Sequence, residues 1–188
     1  MLIRHVAPML AAAVTLSSLE TAPATARQWK ATPEAIAQDY ATINDTRPGG
    51  DLLLLMWFVP QLIPPNSPGA EAATTILRKY VVVMAVHGRL DRPTGKFSFD
   101  DINAPKASDQ NGRALTPIAK DGLPPVAVGL VTTMEALFRQ SAGPLGNGMK
   151  LFVFDGAGID SCSKGRLSIP LADETYTWDT PFPGCQQN

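Results

Sequence analysis

Residues 52–59 read LLLLMWFV, an unbroken apolar run that follows the turn-forming Arg47-Pro48-Gly49-Gly50-Asp51 and stops at Pro60. A bilayer-spanning helix takes about 20 residues, so this run is far too short to be one. A short apolar run bounded by turn signals fits a strand buried on both faces. A second run, YVVVMAVHGRL over 80–90, is rich in β-branched residues. Its period of two puts Tyr80, Val82, Met84 and Val86 on one face and Val81, Val83, Ala85 and His87 on the other. Both faces are apolar as far as His87, so this strand is expected beside the first, in the middle of a sheet. MKLFVF over 149–154 supplies a third core strand.

Other elements fall around these three. Thr32-Pro33-Glu34 opens a helix with a good N-cap and Pro at its first position, and the periodicity of Ile36, Tyr40 and Ile43 carries it to Asn44. Residues 70–79 (AEAATTILRK) and 126–140 (VAVGLVTTMEALFRQ) also read as helices, the latter with apolar residues at 126, 130, 134, 137 and 138. After the turn at Asp91-Arg92-Pro93-Thr94-Gly95, KFSFD alternates with Phe97 and Phe99 on one face, so 80–100 reads as a hairpin. Residues 114–118 are a candidate short strand, and 166–170 and 175–180 are candidate late strands. The run 143–148, with its glycines, reads as a flexible connection.

The fold class expected is α+β and rich in strand. Hairpin, turns and strand-rich tail favour an antiparallel, immunoglobulin-like sandwich with inserted short helices. An open α+β sheet with helices on one face is the alternative. A globular composition, 45% hydrophobic and 18% charged, supports a real core, and the 17 prolines and 15 glycines favour short elements joined by turns.

The first 26 residues read as a signal peptide: Arg4 and His5 as the basic region, an apolar 6–16, and Ala24-Thr25-Ala26 for cleavage before Arg27. A retained N-terminal anchor is the competing reading, opposed by Pro8 and by the shortness of the apolar run. Residues 27–188 are then one globular domain in an oxidising compartment, periplasmic or secreted. Its two cysteines, Cys162 and Cys185, are expected to form a disulfide closing a C-terminal loop.

Candidate chemistry is sparse. With 16 basic and 17 acidic residues and a pI near 6.1, the chain has no basic stripe for nucleic acid. After signal removal His87 is the only histidine. A Ser-His-Asp triad would have to use it, and none of Ser98, Ser141, Ser161 and Ser163 sits in a G-x-S-x-G elbow. The competing reading of His87 is a half-exposed ring marking a strand end. Met84 and His87 form M-x-x-H, but residues three apart on a strand point to opposite faces and cannot chelate together, so no metal and no cofactor is expected. Asp100-Asp101 and Asp173-Glu174 are adjacent carboxylates that face opposite ways on a strand, unlike an acid/base couple. Asp109-Gln110-Asn111-Gly112 lacks the distal Glu of a calcium loop and reads as a solvated turn. Asp155 follows the third core strand and would sit at a sheet end, a better place for function. Tyr176, Trp178 and Phe182 concentrate aromatics near the C-terminus: core packing against the disulfide, or a recognition surface.

These observations favour an exported, non-catalytic binding or accessory domain, with an envelope protein, a glycan or a small apolar ligand as partner. An exported hydrolase using Asp155 or His87 is the alternative. Neither nucleic acid nor a stable membrane span after signal cleavage is expected.

Overall fold

A computed structural model describes residues 32–46 and 48–185; the signal-peptide reading and its cleavage point lie outside them. In chain order the helices are α1 (Pro33–Tyr40), α2 (Ala70–Lys79) and α3 (Pro125–Ser141). The strands are β1 (Ala41–Asn44), β2 (Asp51–Phe58), β3 (Tyr80–Asp91), β4 (Lys96–Phe99), β5 (Pro117–Ile118), β6 (Lys150–Asp155), β7 (Gly165–Leu171) and β8 (Glu174–Thr180). Six strands form one antiparallel sheet in the order β1-β2-β3-β6-β5, with β4 pairing the end of β3 that β6 does not reach. β7 and β8 form a separate two-stranded ribbon.

The apolar runs take the central positions, as their two buried faces require. Leu53, Leu55, Trp57 and Val59 of the β2 run, Val81, Val83 and Ala85 of β3, and Phe154 of β6 face the ribbon. They pack there with Leu167, Ile169, Tyr176 and Trp178. Met56, Phe58, Val82, Met84, Val86 and Val153 face the other way, onto Ile76 and Leu77 of α2 and Ala127, Val131 and Met134 of α3. The sheet is therefore the middle of three layers, and β2 and β3 pair over eight positions from Asp51↔Arg89 to Phe58↔Val82.

The architecture is α+β with antiparallel sheets and a few helices. An immunoglobulin-like sandwich is not confirmed: the second sheet has only two strands, neither sheet closes, and helices cover one face of the larger one. Among the described residues, no helix is long and apolar enough to cross a membrane.

Three local expectations need correction. The first helix begins as its N-cap predicts, with the Ala35 N–H donating to Thr32 Oγ1 at 3.2 Å, but it stops at Tyr40. Residues 41–44 pair instead with β2, from Ala41↔Met56 to Asn44↔Leu53. The edge of a strand already buried on both faces offers four ladder positions, and the β-branched Thr42 and Ile43 suit them better than another helical turn. In α3 the buried stripe is Ala127, Val131 and Met134, while Val126 and Leu137 are 59% and 58% exposed, so the inward face is rotated by one residue from the stripe read in the sequence. The run Gly143–Gly148 is a tight 3₁₀ turn: a Cβ on Gly148 would lie 1.9 Å from the Phe99 ring, and one on Gly146 2.7 Å from Arg139 Cα.

Candidate functional site

Where β6 ends, the chain leaves the sheet for an irregular loop, residues 156–164, before entering the ribbon at β7. This loop is fixed from several sides. Gly156 lies so close to the end of α2 that a Cβ would be 2.7 Å from the Lys79 carbonyl oxygen, to which its N–H donates at 3.2 Å. Gly158 has φ of +91°, and a Cβ there would stand 2.7 Å from Arg113 Nη2. The same guanidinium group donates to the Ala157 carbonyl. Farther along, Asp160 caps its own turn by accepting from the Cys162 N–H at 2.9 Å and the Ser163 hydroxyl at 2.8 Å.

The C-terminal segment holds the other side of the loop. Cys162 and Cys185 are at disulfide distance, 2.09 Å, and the Phe182 N–H donates to the Ser161 carbonyl at 2.9 Å. Thr180 donates its hydroxyl proton to the Ser163 carbonyl. From the sheet side, the Gln61 amide lies 3.2 Å from Ser161 Oγ. A connection with no regular structure is thus anchored to α2, to the 109–113 turn, to the ribbon and to Gln61, three residues beyond β2.

A cleft of about 890 Å³ opens along this loop. Arg78, Lys79, Lys164 and Arg166 bring positive charge to its lining, and Asp109, Asp155 and Asp160 bring negative charge. Asp109 is buried, and burial alone would oppose its charge. Hydrogen bonds from the Arg113 and Asn111 N–H groups, 2.9 Å each, and from Arg113 Nε at 3.1 Å outweigh that and hold its carboxyl below the ordinary range. The 109–113 turn is therefore a bonded brace behind the loop and not merely a solvated turn. Arg166 is engaged by Asp179 through two contacts of 2.6 and 3.2 Å, which hold the Asp179 carboxyl below its usual range as well.

Asp155 lies in this cleft, exposed, at the end of β6 where the sequence puts it. One of its oxygens accepts from the Ala157 N–H at 3.2 Å. His87 does not lie there. Asp155 pairs with Tyr80, and His87 is seven positions farther along β3, roughly 23 Å at strand spacing, so the two cannot act on one bond. His87 belongs to a separate charged cluster, with Nε2 at 3.5 Å from Asp100 Oδ2 and 3.9 Å from Asp51 Oδ2. Arg89 joins it through Asp51 at 2.9 Å, a hydrogen bond that raises the guanidinium further above its already high pKa. Met84 packs in the helix-side core, on the opposite face of β3 from His87. Among the described residues, no group of three or more His, Cys, Asp or Glu side chains is placed to hold a metal ion.

Tyr176, Trp178 and Phe182 do not form a recognition surface, because each is only 5% exposed. The even-numbered side of β8 faces the large sheet and the odd-numbered Thr175, Thr177 and Asp179 face outward. Phe182 fits between Tyr40 and Trp57, with ring centroids 4.6 and 5.1 Å away. The residues that sequence reading passed over are Arg78, Lys79 and Lys164, ordinary surface cations until α2 and the loop bring them to one cleft. The signal that was available is local: two glycines, an Asp-Ser turn and a cysteine within 156–164 mark a loop held in one shape. No protein-family model matches the chain, and no curated protein or solved structure matches it.

Proposed function

We propose that the chain is an exported binding domain whose ligand site is the cleft along residues 156–164. The observation that carries this reading is the bracing of that loop from four sides around an open cleft lined in part by charged side chains. A loop already held in its bound shape spares the ordering cost that otherwise weakens association. Export is supported by the N-terminal sequence pattern, and the Cys162–Cys185 pair is compatible with an oxidising compartment, periplasmic or extracellular. An envelope protein or a glycan suits the charged side chains along this cleft better than a small apolar ligand does.

Capture from envelope extract, with mass spectrometry of what is retained, tests the proposal. The expected result is a specific partner held by the disulfide-intact protein and lost when the cleft is altered by Lys164→Glu. A partner retained equally by both would move the site elsewhere. The hydrolase alternative keeps one point in its favour, the exposed carboxylate of Asp155 in the cleft. Turnover of a generic ester or glycoside that disappears in Asp155→Asn would replace binding by catalysis as the function.

A further inference from the structure

We propose that the cleft takes a sugar acid or a sugar phosphate, gripping its oxyanion with Arg78, Lys79 and Lys164; this rests on the reading of the cleft as a binding site. The lining holds four cations and three carboxylates, in a chain whose overall formal charge is −1. Their commitments differ. Arg166 is tied to Asp179 at 2.6 Å, whereas Arg78, Lys79 and Lys164 have no carboxylate partner among the described residues, Lys79 lying only over the Tyr80 ring at 5.2 Å. The carboxylates are each engaged: Asp109 by Arg113, Asp160 by the Cys162 N–H and Ser163, and Asp155 by the Ala157 N–H.

The partial negative charge at the end of α2 accounts for Arg78 and Lys79 as last-turn residues. It does not account for Lys164, which reaches the same cleft from the loop. Three cations from two elements, none held by a carboxylate among the described residues, favour an anion, and carboxylate or phosphate supplies the charge-assisted acceptors they lack. The rest of the lining describes the body of the ligand. It contains no Phe, Tyr or Trp on which a flat aromatic ligand would stack. Gln110, Ser163 and the second oxygen of Asp155 offer partners for hydroxyl groups. An oxyanion on a polyhydroxylated carrier satisfies both sets.

The experiment is an amide-resonance titration of the disulfide-intact protein with glucuronate, glucose 6-phosphate and glucose. Saturable shifts within residues 156–164 from either anionic sugar, and not from glucose, support the proposal; which of the two binds tells carboxylate from phosphate. Lys164→Ala should weaken that binding by about threefold, the scale of one exposed charge pair. Lys164→Arg should keep it, and Arg78→Ala with Lys79→Ala should weaken it again. These side chains are exposed and none is held by a carboxylate among the described residues, so the variants should keep the wild-type spectrum away from the cleft. Loop shifts from glucose equal to those from the anions, or anion binding unchanged in Lys164→Ala, would overturn the oxyanion assignment and leave the cleft as a binding site. Silence of the loop toward both anionic sugars overturns it too, while partner capture from extract tests the cleft independently.

Discussion

Gly158 and Asp109 show how much of the candidate site rests on single side chains, or on the lack of one. At Gly158 a methyl group meets two obstacles, φ of +91° and Arg113 Nη2 at 2.7 Å. Gly158→Ala should therefore cost about 1–3 kcal/mol of strain. Urea denaturation measures it, and pairing with Arg113→Ala should relieve the steric part and leave the backbone part. Asp109 carries a pH dependence. Its carboxyl is held below the ordinary range in the folded state, so its contribution is present above the unfolded value, about 3.9, and is lost as pH falls through and below that value. Asp109→Asn should lower the unfolding midpoint at pH 7 and flatten the acid limb of stability against pH. An equal loss for wild type and variant between neutral pH and pH 3 would show that Asp109 is not the group responsible.

The elements differ in how readily their sequences disclose them, and the difference has a physical cause. β2, β3 and β6 are legible because burial on both faces demands continuous apolar runs, which few other structures produce at that length. α2 is legible from its helix formers and α3 from its spacing, but the inward face of α3 is not, since Val126 and Ala127 are both apolar and only the packing direction chooses between them. β1 is hidden for another reason. Residues 41–44 carry a helical period inherited from α1, and the ladder on β2 that overrides it lies in a partner strand. The same limit applies to the cleft: Asp155 was visible as a strand-end carboxylate, whereas Arg78, Lys79 and Lys164 converge only through the fold. Core substitutions check the rotated helix face. Val131→Ala should cost about 2 kcal/mol, and Leu137→Ala should stay within about 0.5 kcal/mol of wild type. A larger loss at Leu137 than at Val131 would return the face to the one read from the sequence.

On the scale of the molecule, one sheet separates two cores, and they are not equivalent. The helix-side core is closed by α2 and α3. The ribbon-side core is closed by a two-stranded β7–β8 unit, and an isolated hairpin is marginally stable at best without such packing. Trp57, 2% exposed, sits in this second core against Phe182, so Trp57→Ala should cost about 3–5 kcal/mol by loss of its burial. The disulfide ties this core to the cleft. Cys185 lies three residues after Phe182 and is bridged to Cys162 in the loop, across a sequence separation of 23. Removing both cysteines should then have a local and a global result. The chain-entropy account assigns about 3 kcal/mol to a loop of this size. Beyond that, freeing the C-terminal segment should loosen the Phe182 and Cys185 amides, which donate to Ser161 and Phe182 carbonyls, together with residues 156–164. Hydrogen exchange of Cys162→Ser with Cys185→Ser resolves the two. Faster exchange at the cleft and the end of the ribbon, with α3 protected to the remaining global stability, is the outcome expected of a staple between one core and the loop beside it. Uniform acceleration across both cores would mean that the bridge acts only on the unfolded chain and that the loop keeps its shape without it.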